Sequence, residues 1–117
     1  MKNSTLLERF GFSWAGIVSA WRNEHSFRLQ LATAAALLLV LAWLQPPTVW
    51  WVLCMVMVFL VLAAELFNTA LESLIDHLHP EVHPAIKTAK DCAAGAVLLV
   101  SIAALGIGVM TLVVTLL

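Results

Sequence analysis

The chain has 117 residues, 62% of them hydrophobic and 11% charged, with a formal net charge of −1 and a mean hydropathy of +0.99. A soluble domain carries roughly 25% charged residues, so a single small core cannot bury this much apolar surface and the bilayer is the expected solvent. Six Lys and Arg residues make no basic face for nucleic acid, and the length fits one domain, residues 1–117, without a large water-filled pocket.

Leu6, Leu7, Phe10, Trp14, Ile17, Val18 and Trp21 recur at helical spacing, with Glu8, Arg9, Ser13 and Arg22 largely elsewhere around the wheel. This predicts an amphipathic helix over about residues 5–22 that lies on the membrane, its tryptophans at headgroup level. No apolar stretch ends in a small-residue cleavage site, so the segment is expected to stay on the protein. Gly11 and Gly16 mark where the helix could break, since each costs about 1 kcal/mol relative to Ala. A first span is expected over about residues 29–44, ended by Gln45-Pro46-Pro47, where two prolines remove backbone donors. A second runs over about 48–75, without charge until Glu65, and a third over about 92–117, without charge at all. The fold class is an all-α membrane protein: an N-terminal surface helix and three transmembrane helices.

Lys2, Arg9, Arg22 and Arg28 precede the first span, Lys87 and Lys90 precede the third, and the turn at Gln45 and the C-terminus carry no positive charge. The excess of positive residues in cytoplasmic segments predicts a cytoplasmic N-terminus and 76–91 loop, with the C-terminus on the opposite side. Trp43, Trp50 and Trp51 then anchor the far interface. Cys54 and Cys92 read as small buried hydrophobes, and Gly106 and Gly108 as points of close helix packing.

The acids are few enough to take singly. Glu65, Asn68, Glu72 and Asp76 stand at i, i+3, i+7 and i+11, within about 80° of one helix face at 100° per residue. Ionisable groups at membrane depth cost about 2.5–3.5 kcal/mol each and normally mark function. Like charges so arranged need a cation, either a metal ion or a basic side chain. For Asp76 the solvated end of a helix is the favoured reading; for Glu65, which follows a long apolar run, it is not. Glu24 and Lys90-Asp91 approach the same interface, Glu24 within reach of an i+4 pairing with Arg28. His77, His79 and His83 lie in a loop with Pro80 and Pro84 and read as solvated more readily than as a zinc site. Without a glycine-rich phosphate loop, phosphate chemistry would use carboxylate-held Mg²⁺ and a lysine. On chemistry alone three readings stand level: Mg-nucleotide phosphoryl transfer, a cation or proton pathway, and an assembly subunit whose acids pair with a partner protein.

The run Glu65-Leu66-Phe67-Asn68-Thr69-Ala70-Leu71-Glu72-Ser73-Leu74-Ile75-Asp76, followed by Ala89-Lys90-Asp91, closely resembles the signature of the small prokaryotic integral-membrane diacylglycerol kinases. Gly11-Phe12-Ser13-Trp14-Ala15-Gly16, Ala20-Trp21-Arg22-Asn23-Glu24 and Glu81-Val82-His83-Pro84 resemble it too, so the likeness covers essentially the whole chain. The resemblance implies transfer of the γ-phosphate of MgATP to a lipid hydroxyl at the cytoplasmic face of the bacterial inner membrane, by a homotrimer whose active sites are shared between neighbouring subunits. It makes Glu65 the general base, gives Glu24 and Glu72 the Mg²⁺, and has Asn68 and Lys90 orient or neutralise the phosphoryl group. Glu81, His83 and Asp91 would contact ATP, and Trp14, Trp21, Phe27, Arg28 and Trp43 the lipid. One departure bears on the acceptor: Cys92-Ala93-Ala94-Gly95-Ala96 follows Lys90-Asp91, where the diacylglycerol-specific branch has a Met-Gly-Ser-Ala type sequence. That wording resembles the branch containing undecaprenol kinases, so diacylglycerol stands first and a polyprenol second.

Overall fold

Thr5 starts the first helix with a reciprocal cap: its hydroxyl oxygen accepts from the Glu8 N–H at 3.2 Å, and the Glu8 carboxylate accepts from the Thr5 N–H at 3.3 Å. The computed structural model describes residues 2–117, and the chain forms α1 (Leu6–Asn23), α2 (His25–Leu44), α3 (Thr48–Leu78) and α4 (Pro84–Leu116). Gly11 and Gly16 lie inside α1 without interrupting it. The break falls at Glu24, whose extended φ of −117° and ψ of 109° end α1 and begin α2. Leu7, Phe10 and Trp14 stay exposed, as an interfacial helix requires.

At the other end of α2, Gln45 takes a left-handed φ of 51°. Its N–H bonds to the Leu41 carbonyl and its side-chain amide to that of Ala42, at 2.9 and 2.6 Å, closing carbonyls that a helix end leaves open. Pro47 then opens α3, its carbonyl accepting from Trp50 and Trp51. The result is a tight reversal at an apolar end, with the α1–α2 elbow and the α3–α4 loop together at a polar end.

α2, α3 and α4 are each long and apolar enough to cross a membrane. At 1.5 Å per residue the 31 residues of α3 and 33 of α4 reach about 46 and 50 Å, well beyond a hydrocarbon core of about 30 Å. Both helices therefore continue past the bilayer at the polar end. α3 packs most extensively on α4, α2 lies on α3, and α1 touches both α2 and α3.

The chain's own core is small: Ala20, Phe27, Leu41, Cys54 and Val61, with Glu65 and Thr111 buried among them. Of the two cysteines only Cys54 is buried; Cys92 is exposed in the isolated chain, which corrects its reading as a buried hydrophobe. Nor do Gly106 and Gly108 lie against a neighbouring helix, since a Cβ added at either would meet nothing within 4 Å. Any close packing at these glycines is not within one chain.

Candidate active site at the polar end

Glu65 follows Thr48, the first residue of α3, by 17 positions, about 26 Å along the axis. Measured against a core of about 30 Å, its carboxylate sits just inside the polar boundary of the hydrocarbon. It is 6% exposed and accepts one hydrogen bond, from the Ser26 hydroxyl to Oε2 at 3.3 Å. One turn deeper, Val61 joins Thr33, Leu37, Leu105 and Thr111 in lining an apolar groove of about 510 Å³ between α2, α3 and α4. A carboxylate at the head of an apolar groove can meet the polar end of an amphiphile whose tail lies in the groove.

Outward along the same face, the Asn68 amide donates to Glu72 Oε1 at 3.4 Å, and Asn68 Oδ1 is buried without a partner. Asp76 receives the Lys90 ammonium at 2.5 Å, so the stripe's outermost acid obtains a basic side chain. Asp91 pairs with Lys87 at 2.6 Å. The hydrogen bond and charge of Asp91 raise Lys87 above its ordinary 10.5, against a small opposing effect of burial.

The loop is ordered by its histidines. His83 Nδ1 accepts from the Ala85 N–H at 3.0 Å, capping α4, which puts the ring proton on Nε2 as a donor. His79 Nδ1 lies 3.1 Å from the Glu81 carbonyl oxygen and 3.5 Å from its carboxylate. Among the described residues no group of three or more His, Cys, Asp and Glu side chains converges as a metal cage.

Glu24 holds the elbow through its backbone, its N–H bonding to Ala20 and its carbonyl accepting from Arg28. Its side chain makes no capping bond and stays available. Arg28 does not take the i+4 pairing with Glu24. Its guanidinium instead donates to the carbonyls of Trp21 and Arg22 at 2.8 and 3.1 Å, closing two acceptors left open where α1 stops, with a favourable charge at the helix C-terminus.

The residues expected to meet lipid lie apart. Trp14 and Trp21 are exposed on α1, while Phe27 is 2% exposed and belongs to the core. Trp43 is exposed 18 positions beyond His25, about 27 Å down α2, so it faces the opposite interface. Ser26 is the site residue that sequence reasoning missed, since nothing in a lone Ser beside Glu24 signals a bond across 39 residues of chain.

Comparison with known proteins bears on what this arrangement serves. A family described as prokaryotic diacylglycerol kinase matches residues 11–112. The chain is 38% identical over 104 residues to a diacylglycerol kinase of Synechocystis, covering 88% of this chain and 59% of that protein. It therefore spans less than two thirds of that relative's length. It is 32% identical over 99 residues to the diacylglycerol kinase of Escherichia coli strain K12, covering 85% and 81%. To an undecaprenol kinase of Bacillus subtilis it is 32% identical over 95 residues, covering 81% and 77%. Because the matched region takes in the elbow, the Glu65 to Asp76 face and Lys90-Asp91 together, this membrane protein belongs to the prokaryotic diacylglycerol kinase family.

Proposed function

We propose that the protein is a lipid kinase transferring the γ-phosphate of MgATP to the hydroxyl of diacylglycerol, giving phosphatidic acid and ADP. The observation that carries this reading is Glu65: a carboxylate 6% exposed at the membrane boundary, with one oxygen on Ser26 and, among the described residues, no hydrogen-bond partner on the other. The acceptor oxygen bonds to the γ-phosphorus as the bond to the ADP oxygen breaks, and the hydroxyl proton passes to Glu65 Oε1. Asn68 and Lys90 orient and neutralise the phosphoryl group; Glu81, His83 and Asp91 hold ATP, the His83 Nε2–H as a donor. Trp14, Trp21 and Arg28 flank the lipid at the polar end, Trp43 would meet only the far end of its tail, and Phe27 supports the elbow from the core.

Glu24, whose side chain is uncapped, and Glu72 offer the hard oxygen donors that Mg²⁺ prefers. Two carboxylates fit an ion that takes its other ligands from nucleotide phosphates and water. Bound there, Mg²⁺ would neutralise charge on the phosphates.

The site faces the cytoplasm across the bacterial inner membrane, because all six positive residues flank the polar end. A homotrimer with sites shared between neighbours is supported by how little one chain encloses: only 11%, 17% and 6% of the spanning windows are buried. Undecaprenol as acceptor is the second reading, favoured by Cys92-Ala93-Ala94-Gly95-Ala96. A cation or proton pathway is the remoter one.

Purified protein in mixed micelles, given labelled ATP, Mg²⁺ and a panel of lipid alcohols, should label diacylglycerol. Labelling of undecaprenol alone would move the reading to the polyprenol acceptor. No labelled lipid, with ATP-independent flux in proteoliposomes, would overturn it in favour of the ion pathway.

A further inference from the structure

Several helical hydroxyls of this chain bond locally, and the Ser26 hydroxyl does not. Ser13, Thr33, Thr88 and Thr111 each donate to the carbonyl four residues back, at 2.9, 2.9, 2.9 and 2.7 Å, the usual local bond of a helical hydroxyl. For Ser26 that carbonyl belongs to Arg22, where it accepts from the Arg28 guanidinium at 3.1 Å. The extended backbone of Glu24 interrupts the helix between the two residues. The Ser26 hydroxyl points across to α3 instead and meets Glu65 Oε2 at 3.3 Å.

We infer that Ser26 is a positioning residue for Glu65, its hydroxyl released from the local helical bond by the break in the helix at Glu24. This rests on the reading of Glu65 as the base. A carboxylate can present either oxygen to a substrate; tying Oε2 to a donor on a neighbouring helix leaves Oε1 as the oxygen that receives the acceptor's proton. The donor is held rigidly: Phe27, the next residue, is 2% exposed, and Arg28 grips the end of α1 through two carbonyls. Ser26 also lies in the first turn of α2, where unpaired N–H groups and the helix dipole favour a negative charge. The bond is longer than a strong hydroxyl–carboxylate contact, as catalytic bonds often are before substrate binds. Ser26 keeps its own proton throughout.

The test is steady-state kinetics of the full-length protein in mixed micelles, on Ser26→Ala, Ser26→Thr, Glu65→Gln and the Ser26→Ala/Glu65→Gln pair. Ser26→Ala should lower kcat about tenfold, the scale of one hydrogen bond to a charged acceptor, with the KM values for MgATP and lipid unchanged within about twofold. Ser26→Thr, which keeps the hydroxyl, should recover most of kcat, and Ser26→Ala should cost nothing further on Glu65→Gln. Wild-type kcat in Ser26→Ala, a change confined to KM, or a Ser26→Thr as slow as Ser26→Ala would each overturn the inference while leaving the lipid kinase in place. An active Glu65→Gln, or no turnover by the wild type, overturns the underlying reading and this inference with it. Should Ser26→Ala fail to fold, kcat of Ser26→Thr against a folded Ser26→Gly decides in the same way.

Discussion

Among the described residues, a buried polar contact between Cys54 and Thr111 and a part-buried one between Ser26 and Glu65 each join two helices, and they differ in what they leave over. Nearer the apolar end, the Thr111 hydroxyl donates to the Ile107 carbonyl at 2.7 Å, so the Cys54 thiol donates to Thr111 Oγ1 at 3.3 Å. Both groups are neutral, and both residues are buried to 2% exposure or less. Nearer the polar end, Glu65 receives one bond from Ser26 and retains acceptor capacity, since an ionised carboxylate has about four lone-pair sites. A neutral pair with its donors placed joins α3 to α4. A charged acceptor with sites remaining, one turn above a residue that lines the groove, is what the proposed reading offers to a substrate.

The largest effect should come from removing that acceptor. Glu65→Gln keeps shape and can still accept from Ser26, but it cannot take a proton, so kcat should fall by about 10²–10⁴, read as labelled lipid per unit time. Its resistance to unfolding in micelles should match or exceed the wild type, because a neutral amide is easier to bury than a carboxylate. A large loss of stability together with activity would erase the distinction between the two contacts.

Lys90 is next. Its ammonium lies 2.5 Å from Asp76, and the side chains are 35% and 62% exposed, so the pair contributes about 0–1 kcal/mol to stability. Lys90→Gln should therefore leave the fold intact while reducing turnover by about 10²-fold, the scale of one lost electrostatic donor to a developing charge. Asp76→Asn, which removes only the counterion, should change kcat by less than about threefold. Equal losses in both variants would mean that the bridge itself, and not the lysine, matters.

The opposite pattern is expected for the neutral pair. Thr111→Val preserves shape but removes the hydroxyl, which leaves the Cys54 thiol without its acceptor. Stability should fall by about 1 kcal/mol, measured by denaturant titration in micelles, with kcat reduced far less than in Glu65→Gln.

How much of this could be read from the sequence follows from the range of the forces involved. The three spans, the Gln45-Pro46-Pro47 reversal and the Glu65 to Asp76 face are local matters of hydropathy, proline chemistry and helical period, and the structure has each of them. The boundary between the surface helix and the first span, expected between residues 22 and 29, falls at Glu24, while Gly11 and Gly16 do not interrupt α1. A glycine only weakens a helix, whereas Arg28 closes the carbonyls that a stop exposes. Ser26 to Glu65, Lys90 to Asp76 and Cys54 to Thr111 are pairings across helices, and spacing along one helix does not encode them. Cys92 shows the same limit from the other side, since an apolar run does not say which of its members face out of the chain.

The smallest expected effect sharpens the comparison through pH. Lys87 and Asp91 pair at 2.6 Å with side chains 70% and 62% exposed, and the partner raises Lys87 above 10.5. A lysine raised in the folded state contributes its stabilisation fully below its unfolded value and loses it only as pH climbs through the raised folded value. Lys87→Gln should thus differ from the wild type by a small, constant shift in unfolding midpoint between about pH 6 and 9, which narrows only above about 10.5. High salt should shrink the shift, because the pair lies in water. A Lys87→Gln difference that varied between pH 6 and 8 could not come from this lysine. It would mean that removing the pair had disturbed the neighbouring loop, where His83 caps α4 and His79 lies against Glu81, and that the outer end of the site is less separable from its ion pairs than the exposed geometry requires.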